Sequence, residues 1–125
     1  MLWLLPGLLA GPSTTLTHQQ QLVLLEAANS VFEQALASRD AQQEQQYYQQ
    51  AIAAYEQLIA AGVQNARLYY NLGNAYCRRN DLGRAIGQYR RGLRLEPSNS
   101  RLQANLRYAR SLRQEHGDSW SPQTT

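Results

Sequence analysis

The 125-residue chain has one cysteine, two histidines and no lysine, and no proline lies between residues 17 and 96. A single cysteine, Cys77, excludes an intramolecular disulfide and a metal site built on several cysteines. Its place in a helical pattern favours a buried structural thiol. Neither His18 nor His116 neighbours a plausible nucleophile and acid, and no phosphate-binding loop is present. The sequence therefore predicts no enzyme activity, no catalytic residues, no metal, no cofactor and no small-molecule substrate.

A long hydrophobic run is also lacking. The apolar start, MLWLLPGLLAG, is too short to span a bilayer as a helix. It lacks the basic residues that begin a signal peptide, so an export signal and a simple N-terminal extension both stay open. We take residues 1–16 as an apolar segment with a hinge. An exported or envelope-associated location is slightly favoured over a cytoplasmic one.

Charge is unevenly distributed along the chain. Residues 1–62 hold one arginine and five acidic residues, a net charge of −4, whereas residues 63–125 hold eleven arginines and four acidic residues, a net charge of +7. A basic half attracts acidic peptides, nucleic acid or anionic lipid, and the acidic half suits the basic half of another copy. Nucleic-acid binding is the weaker interpretation, because the arginine cluster of one predicted helix lacks interleaved aromatics and matches no known module. That cluster comprises Arg84, Arg90, Arg91 and Arg94.

Apolar residues at three- and four-residue steps predict helices throughout and no strand. Thr17 and Gln20 fit a capping box before a first helix, whose expected apolar stripe is Leu22, Leu25, Asn29, Phe32 and Leu36. A second helix follows the cap Asp40 and ends at Gly62. Further helices are predicted at about residues 65–79, 82–95 and 99–115, the last capped by Ser98, with a disordered tail at 117–125.

Residues 66–99, ARLYYNLGNAYCRRNDLGRAIGQYRRGLRLEPSN, carry a regular pattern. They resemble the tetratricopeptide repeat (TPR), in which aromatic-x2-Leu-Gly-x2-Tyr is followed by Ala-x3-aromatic and Pro. The matching positions are Tyr69, Leu72, Gly73, Tyr76, Ala85, Tyr89 and Pro97. Small residues at two of these positions let the paired helices approach closely, and the proline stops the second helix.

A shift by one repeat length finds parts of the pattern again. Residues 51–55 map onto 85–89, and residues 67–75 map onto 101–109 with Arg107 in place of the glycine. The first unit is longer by about three helical turns, which lengthens both of its helices. The sequence predicts an all-α, TPR-type solenoid at residues 17–116: an elongated hairpin at 17–62, a repeat at 65–97 and a capping helix at 98–116.

The order of segments over roughly residues 28–110 is similar to the TPR proteins of Bat-type (aerotolerance) operons, and YYNLGNAY is its most specific part. That resemblance implies association with the cell envelope and help in assembling larger complexes. Many of those proteins continue into membrane helices and a small β domain, which this chain does not match.

The TPR resemblance implies a concave groove, lined by the first helices of the repeats, that holds an extended peptide. An asparagine amide donates and accepts at once, and arginine binds a carboxylate through two hydrogen bonds. The expected partner is a protein or peptide, acidic or with a free C-terminal carboxylate. The alternatives are asparagines that only tie helices together, and a homodimeric structural module without a groove. Candidate groove residues are Asn29, Arg67, Tyr70, Asn71, Asn74, Arg78, Arg101, Asn105 and Tyr108, with Leu25 beside them.

Overall fold

The computed structural model describes residues 15–117, which form five helices joined by short connections. These are α1 (His18–Ala37), α2 (Ala41–Ala60), α3 (Ala66–Arg78), α4 (Leu82–Leu95) and α5 (Ser100–Gly117). Within that range the chain forms no strand. The predictions for residues 1–14 and 118–125 lie outside the described residues. Gly117 is the last residue of α5.

Helix α1 packs against α2, α3 against both α2 and α4, and α5 against α4 with a smaller contact to α3. The first two helices have 20 residues each, whereas α3 and α4 have 13 and 14. The predicted all-α repeat fold, with a long first hairpin, a shorter second one and a closing helix, is confirmed. Every helix within residues 15–117 is too short or too polar to cross a bilayer.

The ends of the first hairpin follow local sequence signals. Thr17 and Gln20 form the predicted capping box through reciprocal side-chain to backbone bonds of 2.9 and 3.1 Å. Asp40 caps α2 by accepting from two backbone N–H groups. Gly62 follows the C-cap of α2 with a φ of 95°, a conformation that glycine adopts without strain.

Asparagines begin the two helices, α3 and α5, that line the same side of the array. The side-chain oxygen of Asn65 accepts from the backbone N–H of Leu68 at 2.9 Å, and that of Asn99 accepts from Leu102 at 3.0 Å. These caps lie one repeat length apart. The prediction that Ser98 caps α5 was therefore wrong, because Asn99 directly precedes the helix and makes that bond.

The buried face of α1 differs from the predicted stripe. Ala28, Phe32 and Ala35 are buried, whereas Leu22 is 48% exposed and Leu36 is 59% exposed. Two alanines on one face let α1 lie close to α2, and the ring of Phe32 makes T-shaped contacts with the rings of Tyr48 and Tyr55 of that helix. Close packing through small residues therefore displaced the larger leucines to the surface.

Tyrosines fill much of the core. Tyr48, Tyr55 and Tyr89 are no more than 1% exposed, and Tyr76 is 8% exposed. These four side chains pack within the core, while Tyr47 is half-buried at its edge.

Candidate peptide-binding groove

Helices α1, α3 and α5 border an open groove of about 670 Å³. It brings together six of the nine predicted groove residues, although they come from three helices that are far apart in the sequence. Its lining consists of Asn29, Phe32, Glu33, Leu36, Arg67, Tyr70, Asn71, Asn74 and Arg101.

Three predicted groove residues lie elsewhere. Arg78 is drawn away by a salt bridge of 2.8 Å to Glu44, and its guanidinium lies over the ring of Tyr48. Tyr108 is 61% exposed and does not line the groove. Asn105 lies beside the groove, where its amide nitrogen donates to Asn74 at 2.8 Å.

Sequence reasoning missed three lining residues on α1. Phe32, Glu33 and Leu36 follow Asn29 by three, four and seven positions, the spacing that places side chains along one helix face. The position of Asn29 was therefore enough to predict that these three residues share its helix face. Leu25, also expected here, lines an adjacent shallow groove that shares Asn29.

A hydrogen-bonded triad joins the first three helices at the floor of the groove. The hydroxyl of Tyr55 donates to the side-chain oxygen of Asn29 at 2.6 Å. The amide nitrogen of Asn71 donates to the Tyr55 hydroxyl at 3.2 Å and to Asn29 at 3.5 Å. These bonds give the buried polar groups partners, which offsets the cost of removing them from water.

The same triad recurs one repeat later and joins α3, α4 and α5. The hydroxyl of Tyr89 donates to the side-chain oxygen of Asn74 at 2.5 Å, and Asn105 donates to that oxygen too. Tyr89 and Asn105 lie one repeat length after their counterparts Tyr55 and Asn71. The asparagines therefore tie neighbouring helices together, which was the alternative role predicted for them.

The triads leave a defined set of amide atoms without partners among the described residues. Asn29 and Asn74 use their side-chain oxygens as acceptors, so their N–H groups remain for a ligand. Asn71 and Asn105 use their N–H groups as donors, so their oxygens remain. The groove therefore presents two free donors and one free acceptor, with the free oxygen of Asn105 beside it, whereas the sequence predicted that each asparagine would offer both.

Two arginines supply positive charge beside these amides. Arg67 and Arg101 are exposed, occupy equivalent positions of successive repeats and border both the main groove and a neighbouring one of about 210 Å³. The salt bridges within residues 15–117 involve other arginines, Arg78 and Arg84. Both groove guanidinium groups are therefore available to an anionic ligand.

Residues 66–99 match the family model of the tetratricopeptide repeat. The fold is a TPR-like helical repeat. The match covers α3, α4 and the turn that leads into α5, so it coincides with the second hairpin of the structure. A comparison with curated proteins found no match.

TPR domains generally mediate protein–protein interactions and are typically non-catalytic. The part of the chain that the structure describes contains no group of three His, Cys, Asp or Glu side chains placed to hold a metal ion. Similarity to the Bat-type operon proteins is not shown by the TPR match and stays a prediction.

The single thiol of this TPR unit belongs to the repeat packing. Cys77 is half-buried, with its sulfur 3.6 Å from the hydroxyl of Tyr89. Burial raises the pKa of the thiol, which keeps it in the unreactive protonated form.

Burial also raises the pKa of three tyrosines in the core. It raises the pKa of Tyr55 to about 12, an effect partly opposed by the hydrogen bond from Asn71. It raises the pKa of Tyr89 well above the ordinary value. The pKa of Tyr76 is raised by burial and then by its hydrogen bond to Glu56. All three hydroxyls are therefore neutral donors at physiological pH.

We expect these shifts to make the fold sensitive to alkali. In the unfolded chain Tyr55 has the ordinary pKa of 10.0, so the unfolded state loses its proton first. The contribution of this tyrosine to stability is fully present below pH 10 and is lost as the pH rises through about 12. Urea unfolding followed by circular dichroism across this range measures the loss. The Tyr55→Phe variant should lose less stability over the same interval, and a wild-type stability that stays constant to pH 12 would contradict the account.

Proposed function

We propose that the chain is a non-catalytic protein–protein interaction adaptor, which holds an extended peptide segment of its partner in the groove between α1, α3 and α5. The observation that carries the proposal is the convergence of polar and charged side chains from three helices on one groove of about 670 Å³. Volumes of this order are typical of ligand sites in proteins.

Recognition of the peptide main chain is assigned to the asparagines. An extended peptide presents alternating N–H and C=O groups that need partners when they leave water. The free N–H groups of Asn29 and Asn74 suit peptide carbonyls, and the free oxygens of Asn71 and Asn105 suit peptide N–H groups. Since the triads fix these amides in advance, binding orders few side chains, which favours affinity.

Selectivity for side chains is assigned to the rest of the lining. Leu36 and Tyr70 provide apolar surface above buried Phe32, and the two arginines at positions 67 and 101 provide positive charge. This combination favours a segment with an apolar side chain next to a carboxylate, supplied by an acidic residue or by a free C terminus.

A comparison of captured partners tests the proposal. The variant Arg67→Ala/Arg101→Ala removes both guanidinium groups without touching the buried triads. Each charged hydrogen bond contributes about 1.5–3 kcal/mol, so we expect the affinity for the partner to fall at least tenfold. The measurement is a pull-down from the native source with mass spectrometry, followed by titration of the captured partner.

The matched control is Arg91→Ala/Arg94→Ala, which removes the same charge from a different part of the surface, between α2, α3 and α4. It should capture the partner as wild type does. Equal loss in both variants would indicate general charge attraction, and retention of the partner in both would contradict a role for the groove.

A further inference from the structure

The outer face of α5 is exposed, whereas the corresponding face of α3, one repeat earlier, is covered by a helix. A shift by one repeat length places Arg107 where α3 has Gly73, and Arg110 where α3 has Tyr76. In α3 this face is covered by α4, and the ring of Tyr89 lies directly against Gly73. In α5 no helix within residues 15–117 covers the corresponding face.

The uncovered face forms a basic groove between α4 and α5. Its volume is about 560 Å³, and the buried side chain of Ile86 lies at its floor. The arginines around it are exposed and make no salt bridge with any described residue. These arginines are Arg90, Arg107, Arg110 and Arg113. The four arginines predicted as one cluster on α4 therefore do not share one surface. Arg84 pairs with Asp81, and of the four only Arg90 lines this groove.

The opposite end of the array has complementary chemistry. On the outer face of α1, Leu22 and Val23 are 48% and 56% exposed. Glu26 and Glu33 are also exposed and lie seven residues apart, about two helical turns on the same face, where Glu33 also borders the concave groove. End units of repeat arrays ordinarily present a polar outer face, and the exposed Leu22 and Val23 depart from that rule.

The charge of the described chain is polarised between these ends. Residues 15–62 hold one arginine and five acidic residues, so their net charge is 1 − 5 = −4. Residues 63–117 hold eleven arginines and three acidic residues, so their net charge is 11 − 3 = +8. Opposite fields of this kind steer two copies into a head-to-tail encounter.

We propose that a second copy of this chain places the outer face of its α1 in the basic groove between α4 and α5. Glu26 and Glu33 then meet the arginines, while Leu22 and Val23 cover the aliphatic parts of the arginine side chains. The contact joins two different surfaces, so it builds dimers and longer species as the concentration rises. Because Glu33 also lines the concave groove, the second copy and a bound peptide share this one residue.

Paired charge reversals test the contact in the full chain. Wild type should gain average mass with concentration in sedimentation velocity at low salt, and the gain should shrink at about 1 M salt, where charges are screened within roughly 3 Å. Arg107→Glu/Arg110→Glu alone and Glu26→Arg/Glu33→Arg alone should stay monomeric, with association weakened at least tenfold. Mixed in equal amounts they should associate, because each reversed surface finds an opposite charge on the other variant.

The matched control is Arg91→Glu/Arg94→Glu, which makes the same charge change on α4 outside the basic groove and should associate as wild type does. A wild-type chain that stays monomeric at all concentrations would overturn the proposal and leave the groove to an acidic helix of another protein. Variants that still associate alone, or a mixture that stays monomeric, would overturn it too. Circular dichroism checks that every variant is equally helical.

Discussion

Tyr89→Ala is expected to lower the free energy of unfolding by about 3–5 kcal/mol, the range for deleting a buried aromatic ring. The ring is 1% exposed and fills the space beside Gly73. Its hydroxyl also donates to Asn74 in the triad that joins α3, α4 and α5. The substitution therefore creates a cavity and removes one hydrogen bond at the same time.

Two further variants separate these effects in urea unfolding. Tyr89→Phe keeps the ring and removes only the hydroxyl, so its expected loss is about 0.5–1.5 kcal/mol. Tyr108→Ala changes a tyrosine that is 61% exposed, and its effect should stay within about 0.5 kcal/mol. A loss at Tyr89→Ala no larger than that at Tyr108→Ala would contradict the packing role of Tyr89.

Gly73→Ala is expected to destabilise the chain by about 1–3 kcal/mol, the range for overpacking a well-packed core. A Cβ at this position would overlap the ring of Tyr89, with the ring carbon Cδ1 at 2.7 Å. That ring is enclosed by α3 and α4, so it cannot move aside freely. The loss exceeds the gain that alanine ordinarily brings to a helix interior.

Gly87→Ala is the matched control for this substitution. It makes the same change in the other helix of the same hairpin, but a Cβ there would meet nothing within 4 Å. We therefore expect a gain of about 0.5–1 kcal/mol from helix propensity. Changes of opposite sign in the free energy of unfolding, measured by chemical denaturation, would support close packing at Gly73. A gain in stability in both variants would contradict it.

Much of the fold could be predicted because its signals are local. Gly62 ends α2 in the left-handed conformation that glycine favours. Thr17 and Asp81 cap their helices by accepting from backbone N–H groups three residues further along the chain. The spacing of the repeat also identified Gly73 as a place where the paired helices approach closely, whereas the ring of Tyr89 that lies against it was not predicted.

The register of α1 could not be predicted from periodicity. Leu22, Val23, Leu24 and Leu25 follow one another, so apolar residues lie on every side of the helix. Hydrophobicity alone cannot choose between such faces. The choice depends on the fit of small Ala28 against α2, which is a tertiary effect.

The candidate site, too, could be predicted only in part. The asparagines and arginines could be predicted to lie at the groove because the repeat determines which helix faces pack together and which line the concave side. The tyrosine hydroxyls that fix the asparagine amides could not, since those bonds join residues 15 to 26 positions apart. The salt bridge that takes Arg78 out of the groove depends on Glu44, which lies on a different helix of the preceding hairpin.

Site-specific photo-cross-linking tests the central claim, peptide binding on the concave face, most directly. A photoreactive phenylalanine analogue replaces half-buried Tyr70 inside the groove and, in a control, exposed Gln49 on α2. After irradiation in extract from the native source, the account predicts a partner protein attached at position 70 and absent at position 49. The same adducts at both positions, or adducts only with the chain itself, would contradict it.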